Sequence, residues 1–182
     1  FVIDKAPDVI TLTHENLNKT YDGLNFIPPT ATSLSNSTIY YKYFYKTDEL
    51  CENEINAPIN AGFYTLKIYT LESTNYLSAA KLLNFTIEKA NLTNLTQNLE
   101  TIYNNNNHSI NINFNGFVGQ DNISIGTITY STNGLDYLNT NPIFKNVGTY
   151  TVYYKAEFLN YNTITGINQI IINKANYTNI TH

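Results

Sequence analysis

The chain has no arginine, no tryptophan, no methionine and a single cysteine, Cys51. Without arginine it lacks the planar guanidinium that most phosphate and carboxylate sites use for two-pronged contacts. One cysteine excludes an internal disulfide, and the flanking Glu49 and Glu52 disfavour a thiolate nucleophile. Charged residues make up 13% and the net charge is −4. That charged share is about half the usual one, and no lysines cluster. Nucleic acid is therefore excluded as a partner, because phosphate neutralisation needs grouped cations. No apolar run approaches the ~20 residues of a membrane span, so no membrane insertion is expected in this segment. No G-x-S-x-G or H-E-x-x-H motif is present. No enzyme activity and no cofactor are expected.

What the chain does contain is asparagine and threonine, about thirty and about two dozen, with 16 Tyr and 9 Phe in 182 residues. Thr, Tyr, Phe and Ile favour strands, and Asn favours turns, where its side chain bonds its own backbone and tolerates positive φ. With 42% hydrophobic residues the chain is rich enough in apolar side chains to pack a core. This is a β-protein composition with an uncharged, hydrogen-bonding surface.

An internal repeat organises it. Phe85-Thr86-Ile87-Glu88-Lys89-Ala90-Asn91 returns as Ile170-Ile171-Ile172-Asn173-Lys174-Ala175-Asn176, an offset of 172 minus 87, or 85. Phe1-Val2-Ile3-Asp4-Lys5-Ala6-Pro7 is a third copy, at 87 minus 3, or 84. Asn60 to Thr65 matches Asn146 to Thr151, Asn75-Tyr76 matches Asn160-Tyr161, Ala57-Pro58-Ile59 matches Asn141-Pro142-Ile143, and Leu17 to Tyr21 resembles Leu99 to Tyr103. The reading is modules of about 85 residues: 1–5 the last strand of a preceding module, 6–89 module 1, 90–174 module 2, and 175–182 the first strand of a following one.

Alternation assigns the strands. In Phe63–Tyr69, Tyr64, Leu66 and Ile68 face inward, with Thr65 and Lys67 outward. Tyr150, Val152, Tyr154 and Ala156 do the same in module 2, with Thr151, Tyr153 and Lys155 outward. In Ile39–Tyr45, an outward Lys42 puts Ile39, Tyr41, Tyr43 and Tyr45 inward, and 123–130 is the expected counterpart strand. Leu82–Ile87 and Gln169–Ile172 close the modules, and Gly62 and Gly148 mark turns before long strands. Seven or so short strands per module predict an all-β sandwich. Only Lys89-Ala90-Asn91 separates consecutive modules, with neither Gly nor Pro, which predicts a stiff joint. Strands of about ten residues at roughly 3.3 Å per residue predict modules some 35 Å long, stacked as a rod.

The landmarks Tyr21-Asp22-Gly23, Ala57 to Thr65, Asn75-Tyr76 and Ile87-Glu88-Lys89-Ala90 resemble the MBG/YDG-type bacterial immunoglobulin-like repeat. That resemblance covers essentially the whole chain. It implies tandem immunoglobulin-like β-sandwich modules in a large adhesin-like surface or secreted protein, and it brings no binding residues with it. Module 2 departs from the pattern, with Tyr103-Asn104-Asn105 in place of the YDG triplet.

Candidate sites are few. Nine N-x-S/T sequons occur, at Asn18, Asn36, Asn84, Asn91, Asn94, Asn107, Asn122, Asn176 and Asn179. Asn18, Asn36, Asn107 and Asn122 are the candidates for N-glycosylation, and the bland alternative is turn residues and surface amides. Tyr40, Tyr69 and Tyr153 are the outward aromatics that suit stacking on a sugar, or cross-strand pairs of structural use only. His14, His108 and His182 are too scattered for a metal site. Asp48, Glu49, Glu52 and Glu54 read as a solvated loop without calcium-loop spacing. Asp4, Asp8, Glu88 and Asn91 fall at module junctions, where calcium is a weaker alternative, and outward Lys42, Lys67 and Lys155 argue against intramolecular Lys–Asn isopeptide bonds. The expected role is a non-enzymatic structural segment (stalk, spacer or filament module) of an extracellular or cell-surface protein. Its partners would be neighbouring modules, with further copies of itself or a host or matrix glycan or protein as alternatives.

Overall fold

The structure is a computed structural model and describes residues 2–176. The sequon at Asn179, His182 and most of the expected strand at 175–182 lie outside the described residues. The chain divides into two compact units, Phe1–Ala90 and Asn91–His182.

Unit 1 holds β1 (Ile10–Leu12), β2 (Lys19–Thr20), β3 (Ala31–Ser33), β4 (Tyr40–Tyr45), β5 (Gly62–Tyr69) and β6 (Ala80–Glu88). One sheet runs β2-β6-β5-β4, and β1 pairs with β3 in the other. Unit 2 repeats this with β7 (Thr93–Asn94), β8 (Leu99–Ile102), β9 (Phe114–Asn115), β10 (Thr127–Ser131), β11 (Gly148–Glu157) and β12 (Ile164–Asn173). Its sheets are β8-β12-β11-β10 and β7-β9. Among the described residues, all pairings between these strands are antiparallel except β2 with β6 and β8 with β12, which are parallel. Each unit is an all-β, immunoglobulin-like sandwich.

Strand alternation builds both cores. Tyr64, Leu66 and Ile68 of β5 and Phe85 and Ile87 of β6 are buried, and so are Val152, Tyr154 and Ala156 of β11 and Ile170 and Ile172 of β12. Phe26 stacks on Phe85 at 4.0 Å between ring centroids. In unit 2, Phe117 and Phe158 meet Tyr161 edge-on. The Tyr161 hydroxyl donates to Asp121 Oδ2 at 2.7 Å and accepts from the Val118 N–H at 2.8 Å, so a wholly buried tyrosine is satisfied.

The sequence expectations need three corrections. Tyr45 is 56% exposed and Phe44 only 2%. Tyr45 does lie opposite Tyr64 on the inner face, but it ends its strand where the core stops. Phe44 and Thr65 lie opposite each other on the outward face yet are buried, and on that face Lys46, Asp48 and Cys51 line one hollow with Thr65, Leu82 and Asn84. Residues 123–130 are not one strand. Ile123–Ile125 is a 3₁₀ turn and β10 starts at Thr127. At Gly126, between the turn and the strand, a side chain would collide with the Phe158 ring, 2.2 Å from an added Cβ, so glycine is required there. Among the described residues each unit forms six strands, close to the seven or so expected. The connections 46–61 and 132–147 contribute only isolated bridges among the described residues, Tyr43 with Ile55, Tyr130 with Leu138 and His108 with Phe144. Val2–Lys5 is exposed and forms no strand.

The Gly62/Tyr64 pairing, repeated as Gly148/Tyr150, explains the strongest sequence landmark. Tyr64 Oη donates to the Asn60 carbonyl at 2.8 Å, and Tyr150 Oη to the Asn146 carbonyl at 3.0 Å. Each ring lies over its own glycine, where an added Cβ would sit 3.0 or 3.1 Å from the phenol. A tyrosine at the start of a long strand, bonding back to the preceding turn, is the corner device of immunoglobulin-type sandwiches. We expect Tyr64→Phe to destabilise unit 1 by about 1 kcal/mol, read as a lower urea midpoint at unchanged slope. Gly166→Ala should cost about 1–3 kcal/mol by overpacking, because its Cβ would fall 2.1 Å from the Tyr154 ring.

Candidate interaction surfaces

The turn after the parallel strand shows how the two units solve one problem with different residues. In Tyr21-Asp22-Gly23, Asp22 Oδ1 accepts from the Leu24 N–H at 3.0 Å and from Lys19 Nζ at 2.6 Å, and Gly23 sits at φ +74°. In Tyr103-Asn104-Asn105, Asn104 Oδ1 accepts from the Asn106 N–H at 3.0 Å and Asn105 takes φ +65°. Asparagine replaces aspartate as the acceptor and glycine in the left-handed region, two substitutions the side-chain chemistry allows. The apparent departure of module 2 from the YDG pattern is thus the same turn.

The sequons differ in how much of the amide is committed. Asn18 Oδ1 accepts from the Thr86 N–H at 2.8 Å, as Asn98 Oδ1 does from the Gln169 N–H in unit 2, so each asparagine starts a parallel ladder. Asn122 caps the 3₁₀ turn, its Oδ1 accepting from the Ser124 N–H and hydroxyl at 2.9 and 2.5 Å. Asn94 spends its amide nitrogen on Tyr154 Oη at 2.6 Å, and Asn84 accepts from the Thr65 hydroxyl. Asn36, at φ +55°, and Asn107 are exposed on turns. Asn91 is exposed and accepts from Asn162, and Asn176 is exposed.

Among the aromatics, Tyr40 is 39% exposed and stacks on half-buried Tyr69 at 5.3 Å, with Lys67 Nζ 5.8 Å from the Tyr69 ring. Tyr153 is half-buried beneath the Gly134 turn, whose added Cβ would meet its ring at 3.3 Å. The pair is not repeated. Lys155 stands at the position equivalent to Tyr69, opposite Thr129, and bonds Glu157 at 2.8 Å.

Charged groups serve the fold. Asp8 accepts from the N–H groups of Val9 and Ser35 and from the hydroxyls of Ser35 and Thr70. Burial opposes its charge, but these bonds, led by Ser35, outweigh that and hold its carboxyl below the usual range. Asn53 and then Glu52 N–H groups lower Asp48 against partial burial, and Lys19 lowers Asp22. Lys42 pairs with Glu54 at 2.8 Å. His108 Nε2 bonds Asn104, and His14 bonds Thr13. Among the described residues no group of three or more His, Cys, Asp or Glu converges as a metal site. Ser78 and Lys81 carry an S-x-x-K spacing that a motif scan would flag. Ser78 precedes the strand that carries Lys81, and Lys81 pairs with Glu15.

No protein-family model and no curated protein matches the chain. Solved structures that resemble it are Drosophila N-cadherin EC1-4 (TM-score 0.38, 10% identity, 94% of this chain and 50% of that one) and the insect immune protein hemolin (0.38, 10%, 92% and 47%). The tandem Ig repeats of Dlar also resemble it (0.31, 10%, 92% and 98%). The chain spans about half the length of the first two.

Asp8, Asp22 and Asp48 all lie in unit 1, and each has a folded pKa below its ordinary 3.8. Their contribution is present above that value and is lost as pH falls through the folded values. The melting temperature of unit 1, followed by its amide resonances, should therefore drop below about pH 4. Asp8→Asn should lower it at neutral pH and shrink the acid-induced fall.

Proposed function

We propose that this chain is a non-enzymatic spacer: a stalk segment of a larger, adhesin-like cell-surface or extracellular repeat protein of MBG/YDG type. The observation that carries the reading is the repetition itself. Two units of one topology carry the same tyrosine corner, the same asparagine-started parallel ladder and the same Asx turn, and each repeated feature serves folding. The polar groups that a binding site would leave open are instead spent on turns and ladders, as Asp8 shows. On this reading the modules are 6–89 and 90–174, with residues 1–5 and 175–182 belonging to neighbours, and the three-residue connection makes length the useful property.

The aromatic pair Tyr40–Tyr69 favours a glycan-binding alternative less. A binding array would repeat its contact residues, and the equivalent place in unit 2 holds Lys155 and Thr129. Glycosylation at the exposed turns of Asn36 and Asn107, with the amides of Asn18 and Asn122 already bonded through oxygen, is compatible with a stalk.

Electron microscopy of the intact parent protein, with mass spectrometry of its peptides, tests the spacer. Regular beads along isolated threads are the expected result. A compact head with these units folded into it, or a defined ligand held by this segment alone, sinks the reading. Tyr40→Ala should leave glycan-array binding of the segment at background.

A further inference from the structure

Each unit ends in a long strand that is paired along only part of its outer side. β12 meets β8 only over Ile170–Asn173, and Gln169 donates its N–H to Asn98 toward the same side. Backbone groups alternate sides along a strand, so Thr165 and Ile167 also aim their N–H and C=O groups outward, beyond the end of β8. No partner meets them among the described residues. Both side chains are exposed, Ile167 by 65%. In unit 1 the same logic leaves Leu82 and Asn84 of β6 facing outward past Asn18, and Leu82 is 55% exposed.

The two edges are not equally open. At the inward position of β6 next to Leu82 stands Lys81, held by Glu15 from the neighbouring loop. An inward-pointing charge on an edge strand is a device against unwanted pairing, and two copies of β6 meeting antiparallel about that position would set lysine against lysine. The equivalent residue of β12, 81 plus 85, is Gly166. It is glycine because the Tyr154 ring occupies the space of a side chain. From Ile164 to Ile172 the strand reads Ile-Thr-Gly-Ile-Asn-Gln-Ile-Ile-Ile, with no charge and no proline.

We propose that β12 is a self-association edge, and that its occupant is β12 of a second copy of this chain, paired antiparallel about a two-fold axis through Gly166. In that register Ile167 of one copy lies opposite Thr165 of the other, and Ile164 opposite Asn168. Thr165 and Ile167 then exchange four backbone hydrogen bonds across the axis, and two glycines meet at its centre with no side chain between them. Ile167 covers the Thr165 methyl group of the partner copy on the outer face. A charged foreign strand has nothing to pair with here, whereas an identical neutral strand satisfies every open group. The pairing does not depend on the spacer reading, since a stalk, a filament or a receptor could each dimerise this way.

Sedimentation equilibrium of the full chain, from about 10 µM to about 1 mM, tests it. The expected result is a weak dimer that is insensitive to salt, because no ion pair forms it. Ile167→Pro removes an N–H that faces away from β11, and Ile167→Lys places a charge on the edge with the backbone unchanged. Each should weaken association about tenfold or more, with native circular dichroism retained, while Leu82→Pro should leave it unaltered. A monomer throughout the range overturns the proposal, and so does a dimer that survives both Ile167 variants or is lost equally with Leu82→Pro.

Discussion

Between Gly62 and Glu88, and again between Gly148 and Asn173, two long strands run antiparallel in continuous register. Their inward side chains form the wall against which the other segments of each unit pack. Burial of Leu66, Ile68, Val152 and Ala156, each 0% exposed, supplies the main stabilising term at about 25 cal/mol per Å² of apolar surface. A one-residue slip would turn these side chains to solvent, so the register cannot drift. The tyrosine corner and the parallel strand both hold the same end of each ladder, at Gly62/Ile87 and at Gly148/Ile172.

Polar groups follow from that constraint. Once the ladder is set, the segments entering it must satisfy backbone groups that the next strand does not reach. Asparagine does this repeatedly because its amide offers an acceptor and a donor without charge. Asn18 and Asn98 begin the parallel ladders, Asn104 closes a turn, and Asn122 caps a 3₁₀ turn. The asparagine-rich composition is therefore largely architectural. The scarcity of charge has a second effect: edges are guarded where a lysine happens to stand, as at Lys81, and unguarded where packing demands glycine, as at Gly166.

Much of this was legible in the sequence. Period-two alternation located the long strands and their inward faces, and the 85-residue offset located the two copies. What it could not show was covering by distant segments. Thr65 alternates outward in its strand, yet it is buried, and Lys46, Asp48 and Cys51, roughly fifteen to twenty residues earlier in the chain, line a hollow with it. The 3₁₀ turn at Ile123–Ile125 was hidden because its two isoleucines are strand formers, while the Asn122 side chain that caps it through Ser124 is a local signal that alternation does not weigh. The YDG departure was misleading in the opposite sense: reading Tyr103-Asn104-Asn105 as turn chemistry, and not as a lost motif, would have recovered the shared geometry. The candidate surfaces were less legible still. Alternation put Tyr40, Tyr69 and Tyr153 on outer faces, but how far each is exposed depends on what neighbouring turns cover.

An edge strand is where these separate constraints meet. Its inward positions answer to the core, its outward positions to solvent, and its backbone to whatever lies alongside. In β6 the three demands are compatible, since a lysine at the inward edge position reaches Glu15 without disturbing Phe85 or Ile87. In β12 they conflict, because Tyr154 has taken the volume that a guarding side chain would need, and its hydroxyl is tied to Asn94. A larger buried aromatic thus removes protection from an edge on the other side of the same strand. Divergence between repeats that look interchangeable by topology can in this way give one of them a property the other lacks, with no change in fold and no residue that resembles a binding motif.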